Sequence, residues 1–584
     1  MKMRTLCDAD GTSALPHFHI TISEMEQHSE KIGGMMRFNH RFIGLKIGMA
    51  LEQFTVRCPK SGRIIGIRRD FHLNRFLFPL IGLLAVVWFL VRVIPKPSRA
   101  VYPCQRLAVG IGGGFLAYAA MGLASFSLCR HIRRNLTTSM IVVCLAFGGI
   151  AIVVTDSLNA ASTTVVLTPS EGVNQPMGKA RGIHPGRVVW AQDFDATSWD
   201  EKNGLWWDDD NTDQKVVNAM LSQSLQKLTG KSSDQDAWEA LFRNHNQTNG
   251  KGDRGYRPNE TITIKLNCNT DGEPGKRGEK KGHASTQVVY ALVTQLIEHA
   301  GVPGANITLT DPSRHVGEPI YDKIRSNPKT DYQQIVFAGK AAQDKPQYIY
   351  AEPDKDCPIH FDLPDGTKQT YYFPKVFSQA DYMINAGQLR PHSIFGVTMI
   401  GKNHFGSVFD GNGYQPSILH AFAVRGTDSP NQHGDSHCHP SLLGHQVTNG
   451  KTFLYLLDGL YTSHTQTGDI LRWSTMNDDW FSSLLLSQDP IAIDSVGYDF
   501  ICSEPNMVQN NPCFNGHVDS FLHEAALADH PPSGVIYDPE QDGVKMTSLG
   551  VHEHWNHPSK RQYSRNLGTG DGIELVAVTA VATE

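Results

Sequence analysis

Three apolar runs inside about eighty residues limit what this chain can become more than any other feature of its sequence. Phe76–Ile94, Leu107–Cys129 and Thr138–Thr155 each approach the roughly 20 residues that a spanning helix needs. Gly110 and Gly114 form a small-xxx-small pair of the kind that lets two such helices approach closely. Arg57, Lys60, Arg63, Arg68, Arg69 and Arg75 precede the first run, and Arg130, Arg133 and Arg134 lie between the second and third. Cytoplasmic loops collect Lys and Arg, so both places are expected inside. Lys96, Arg99 and Arg106 fall in the outer loop and count against the rule. The expectation is a poorly ordered cytoplasmic region over residues 1–75 and about three helices over 76–156. They would sit in the inner (cytoplasmic) membrane, with a large domain on the extracytoplasmic side. A second reading keeps the same export. Arg130–Arg134, the third apolar run and Asn159-Ala160-Ala161 have the three parts of a signal peptide, which would apply with a downstream start codon.

Charge divides the chain at the same place. Residues 1–155 carry 19 Lys and Arg against 7 Asp and Glu, whereas the remainder carries 34 against 51. The acidic part has no basic stripe, so nucleic acid is not an expected partner. Residues 157–186 are weakly charged and rich in Ser, Thr, Gly and Pro, and read as a linker before a domain over 187–584.

From Arg187 onward strand and helix patterns alternate. Arg187–Ala191 reads as a strand. The acidic run Asp208–Asp213 lacks the sixth-position Gly and distal Glu of an EF-hand loop, and acidic residues suit a helix N-terminus in any case. The helix it leads has Val217, Met220, Leu221, Leu225 and Leu228 at helical spacing and stops at Gly230. Thr261–Asn267 is a strand, Ser285–Ala300 a helix capped by Ser285 and stopped by Gly301, and Asn306–Thr310 another strand. This βαβ pattern predicts an α/β fold with a mainly parallel sheet flanked by helices. Tyr382–Asn385 and Thr452–Leu457 are further strands, and Asp489-Pro490 has the form of a helix cap and first position.

The ends of these strands carry the polar residues. Lys265, Asn267, Asp311, Asn385 and Asp458 all fall at or just past carboxyl ends, the edge at which open α/β sheets bind ligands. Arg390 and His392 follow in a basic turn, then Lys402-Asn403, and Asp494 lies on a later helix. One pocket is expected to gather Lys265, Asn267, His392, Lys402, Asn403, Asp458 and Asp494. In an enzyme, Lys265 and Lys402 would bind an anionic small-molecule substrate and Asp458 and Asp494 would hold a divalent metal or act as base. His392 would move protons, while Asn267, Asn403 and Arg390 complete the ligand contacts. The other reading is a non-enzymatic, membrane-tethered binding or assembly protein using the same edge.

Ile264-Lys-Leu-Asn267, the Ser285–Gly301 helix, Lys402-Asn403-x-x-Gly406, Leu457-Asp458-Gly459 and Ser487-Gln-Asp-Pro-x-Ala-x-Asp494 resemble the family called domain of unknown function 362, over roughly 187–580. The resemblance implies an α/β domain, often exported and often associated with ferredoxin-type cysteine clusters. No two cysteines of this chain stand in C-x-x-C spacing, so no intrinsic iron–sulfur cluster is expected. Cys502 and Cys513 flank a short loop and are the expected disulfide, with Cys268–Cys357 a weaker pairing. His433, His437 and His439, around Cys438, are the expected metal ligands, because alternate residues of an extended chain face one side.

Overall fold

A computed structural model describes residues 55–57, 64–67, 84–88, 91 and, from 172 to 579, all except 269–279, 341–346, 363–367, 393–394, 411–437 and 509–516. The chain forms two units, Met1–Ala161 and Ser162–Glu584. In the first, Thr55–Arg57 pairs antiparallel with Ile64–Ile67, and residues 84–88 are helical. The three apolar runs lie otherwise outside the described residues. Among the described residues no helix is long and apolar enough to cross a membrane.

The second unit is built on one nine-stranded sheet. Its strands are β1 (Arg187–Gln192), β2 (Ile262–Lys265), β3 (Ile307–Thr310), β4 (Val336–Gly339), β5 (Ile349–Tyr350), β6 (Tyr382–Gln388), β7 (Thr452–Gly459), β8 (Ser483–Ser487) and β9 (Glu574–Thr579). They lie in the order β9-β1-β8-β7-β6-β2-β3-β4-β5. The sheet is mainly parallel, as the βαβ pattern predicts. Among its described strands β8 alone runs against the others, pairing antiparallel with both β7 and β1.

A sheet covered on both faces needs strands that are apolar throughout, and β7, Thr-Phe-Leu-Tyr-Leu-Leu-Asp-Gly, is buried at every position. Alternation then sorts its side chains into two cores. Val189, Ile264, Ile384, Leu454 and Leu456 join the core beneath α1 (Gln214–Thr229), α2 (Asp234–Thr248) and α3 (Thr286–Thr294). Val188, Met383, Tyr455 and Leu457 join the core beneath α4 (Ile400–Asn403), α5 (Cys438–Gly444), α6 (Pro490–Ser503) and α7 (His517–Ala526).

Local chemistry sets the helix ends. The Asp213 carboxylate accepts from the backbone N–H groups of Lys215 and Val216, so the acidic run serves as a helix cap. Gly230 ends α1 at φ +70°, a left-handed conformation that favours glycine. The α3 helix gives way at Gln295–His299 to a π-helical turn before Gly301, so the regular helix is shorter than the apolar pattern predicts. Residues 172–186 correct the linker expectation. Met177–Gly178 pairs antiparallel with Val551–His552, and the Arg181 guanidinium donates to Asn449 Oδ1 at 2.7 Å.

The chain leaves β2 towards β3 on one side and leaves β6 towards β7 on the other. These two strands are neighbours, so the crevice outside their carboxyl ends is a topological switch point.

Asp489 fixes the start of α6. It is fully buried, and its oxygens accept from Ile491 N at 3.0 Å, Ala492 N at 2.9 Å, Arg181 N at 2.9 Å and Val551 N at 3.2 Å. Asp489→Ala removes the cap and strands several buried amides. It is expected to lower the unfolding free energy by about 3–5 kcal/mol in urea denaturation; a loss below about 1 kcal/mol would show that other groups satisfy these amides.

Candidate functional site

Lys265 is the last residue of β2 and faces the α4 side of the sheet, because it keeps step with Thr263 rather than with the core residues Ile262 and Ile264. A lysine 1% exposed must be paired. Its Nζ donates to Leu266 O at 2.5 Å and to Asn403 Oδ1 at 3.1 Å, and lies 3.4 Å from Asp311 Oδ1. Burial pulls its pKa down, against the neighbouring Asp311. Asp311 is fixed in turn by Cys268 N on Oδ2 at 2.9 Å.

Asn403 joins the strand ends. Its Oδ1 takes the Lys265 ammonium and Asn267 Nδ2 at 3.3 Å, while its Nδ2 donates to Asn385 Oδ1 at 2.7 Å and to the carbonyls of Lys265 and Ala386. Asn267 Oδ1 accepts from Arg390 Nη2 at 2.5 Å, and Arg390 Nη1 reaches Gly282 O at 2.8 Å. Arg390 is therefore a buried brace between Asn267 and Gly282 rather than a cleft-lining group.

Above this network a cavity of about 80 Å³ is lined by Asn267, Asp311, Ser313, Arg314, His392, Thr398, Lys402, Asn403, Phe405 and Gly406. It comes from β2, the turn after β3, the hairpin Arg390–His392/Gly396–Thr398 and α4. Room of this size suits a few waters or one small ion. The Lys402 ammonium lies 3.9 Å above the Phe405 ring, a cation–π contact. Burial drives its pKa down to about 7, with Cys438 opposing. His392 Nδ1 accepts from Phe395 N at 3.2 Å, which leaves the ring proton of the neutral imidazole on Nε2.

The structure brings Asn267, His392, Lys402 and Asn403 together at this cavity and sets Lys265 one layer below. It does not bring in Asp458 or Asp494. Asp458 keeps step with Leu454 and Leu456, so it faces α3. There its Oδ2 accepts from Ser285 N at 2.8 Å, supplying the cap that the Ser285 side chain does not. Asp494, on α6, accepts from Ile400 N on one oxygen and Gly401 N on the other, both at 2.8 Å. Its two oxygens thus hold the first turn of α4 and, through it, Lys402. Ser313, Arg314, Thr398 and Phe405 also line the cavity, beyond the sequence expectation. The signal for the first two was Asp311-Pro-Ser-Arg314 directly after a strand, at the binding edge.

His433 and His437 lie outside the described residues. His439 lies on α5, its ring 3.8 Å from that of Phe395 and nearly parallel to it, with Cys438 Sγ 3.3 Å from Nδ1. It packs as a core aromatic. Among the described residues, Asp519, His552 and His554 form a group that could hold a metal ion, their ligand atoms lying within 4.8 Å of one another. Cys268, Cys357, Cys438 and Cys502 are in no disulfide, which removes the Cys268–Cys357 pairing, and Cys513 lies outside the described residues.

Residues 262–499 match the model of a family described as Domain of unknown function (DUF362). A crystal structure of a protein from Thermotoga maritima aligns at 7% identity and a TM-score of 0.23, over 43% of this chain and 51% of that one. The chain thus spans about half the length of that protein, and a likeness of this degree carries no argument. No curated protein matches the chain.

Asp494→Ala strands two buried amides and releases the turn that carries Lys402. The expected cost is about 2–5 kcal/mol by chemical denaturation. Burial raises the Asp494 pKa from 3.8 to about 7. The folded protein therefore holds a proton that the unfolded chain releases, and this contribution to stability is lost as pH rises from about 4 through 7. The variant is expected to lack that slope, and an unchanged slope would assign it to another group.

Proposed function

We propose that this chain, whose residues 262–499 belong to the domain of unknown function 362 family, binds a small anionic ligand at the switch point between β2 and β6. The observation that carries the reading is the charge of the cleft. Among the described residues that line it, Lys402 and Arg314 stand with one carboxylate, Asp311, which Lys265 and Cys268 N already engage. The excess is positive, and Asn267 and Asn403 add amide donors suited to carboxylate or phosphate oxygens. Bound at this place, an anion would have beside it an amine that changes charge near neutrality and an imidazole at His392, the groups needed for proton transfer. Asp458 and Asp494 take no part in that chemistry, because both carboxylates are engaged by backbone N–H groups.

We further infer that the domain is tethered to the inner membrane and lies on its extracytoplasmic side. The three apolar runs and the Lys/Arg distribution support this. So do Leu84, Val87, Trp88 and Val91, exposed at helical spacing within the first run.

Anion binding should depend on pH through Lys402. Below about pH 7 its ammonium is charged, and above that it loses its proton. Calorimetric titration with inorganic phosphate and with acetate should therefore give tighter binding at pH 6 than at pH 8, by about tenfold. Lys402→Met should abolish both the binding and its pH dependence while leaving the melting temperature nearly unchanged, since a fitting apolar side chain is tolerated where a buried charge stood. Absence of binding at pH 6, or identical binding by the variant, would refute the reading.

A further inference from the structure

His552 and His554 stand two apart on an extended segment, so both rings project to one side, while Glu553 turns the other way to accept from Ser564 and Ile573. Each imidazole is held by the nitrogen nearer its backbone. Ser495 Oγ donates its own proton to Ile491 O at 2.7 Å, so at 2.8 Å from His552 Nδ1 it can only accept. Asp499 Oδ1 lies 2.6 Å from His554 Nδ1, and the other oxygen of Asp499 accepts from Trp555 N at 3.0 Å and Tyr563 Oη at 2.8 Å. In their neutral form both rings are thereby Nδ1–H tautomers, with the lone pair on Nε2.

The His554 Nε2 faces a carboxylate, and His552 offers a ring nitrogen to the same cluster. His554 Nε2 lies 3.5 Å from Asp519 Oδ1, and all three side chains are buried. A buried carboxylate facing imidazole nitrogens calls for a positive charge between them, a ring proton or a metal ion, and the cluster of three ligand atoms within 4.8 Å of one another suits the ion. A second set of groups that orient the ring nitrogens is the usual companion of histidine metal ligands. His523, one helical turn after Asp519 on α7, brings its ring centroid within 5.1 Å of His552.

We propose that Asp519, His552 and His554 bind a divalent transition-metal ion, zinc or iron in chemical class, through one carboxylate oxygen and the two Nε2 atoms. Two neutral imidazoles and one carboxylate match the preferences of these ions, and bonds of about 2.0–2.2 Å would draw the three ligand atoms together. The ion fastens α7 to the 551–554 segment. Phe521, on the same helix, packs against Gly401 so closely that a Cβ there would lie 2.2 Å from its ring. The metal thus braces α4 from behind, on the side away from the cleft. This inference does not depend on the anion reading.

The test uses the full-length protein, stripped with a chelator and titrated with Co(II) and then Zn(II). One equivalent of Co(II) should bind with visible d–d absorption, Zn(II) should displace it, and either ion should raise the melting temperature. His552→Ala/His554→Ala should abolish the absorption, and Asp499→Asn should weaken binding by about 10–100-fold. His433→Ala/His437→Ala should leave it unchanged. If the first variant fails to fold, the wild-type titration still decides. No Co(II) spectrum and no thermal shift in excess metal would overturn the proposal, as would binding that survives loss of His552 and His554 but not of His433 and His437.

Discussion

The contact on which most of this architecture rests is the closure of the Asp494 carboxylate on the two amides that open α4. A four-residue helix has little with which to satisfy its own ends: Asn403 N reaches Met399 O at 3.0 Å, whereas the amides of its first turn need an acceptor from outside, and the helix is buried. Without an acceptor from outside it would not form, and Lys402, Asn403 and the cleft would have no support. The acceptor comes from α6, which does the same elsewhere along its length. Asp489 ties its first turn to Arg181 and Val551, Ser495 steadies His552, and Asp499 gathers His554, Trp555 and Tyr563. One apolar helix carries four inward polar groups, each matched to a partner distant in sequence. Unmatched, any of them would cost more than it contributes.

The electrostatics of the cleft follow from similar economy. Lys265, Lys402, Arg314 and Arg390 gather at one edge with Asp311 as the carboxylate beside Lys265. Two amides, Asn403 and Asn267, join these groups to one another. An amide orients a cation without adding a charge of its own.

Much of this was legible in the residues, and the failures have specific causes. The β2–α3–β3 unit, the Asp489-Pro490 cap and the meeting of Asn267 and Lys265 with Lys402-Asn403 follow from period, turn chemistry and strand direction. Strand-end position alone misplaces Asp458, because a strand end has two faces. Counting by twos from Leu454 and Leu456 sends Asp458 towards α3. The partners of Asp494 are backbone amides, which no side-chain pattern reveals. The histidines at 552 and 554 showed the same alternation that singled out 437 and 439. What distinguished them, a serine and an aspartate one turn apart on a distant helix, exists only after folding.

The position of β1 has a consequence for how the chain is made. It is paired on one side with β8, 300 residues away at Arg187–Ser487, and on the other with β9, 387 residues away at Arg187–Glu574. A ribosome working at roughly 5–20 residues per second needs about 20–80 s to supply that last partner. Throughout, Val188, Val189, Trp190 and Ala191 form a sticky, unpaired edge, the kind of segment that seeds aggregation. A nascent chain of this topology has every reason to be held by a chaperone, or kept extended, until its final strand arrives.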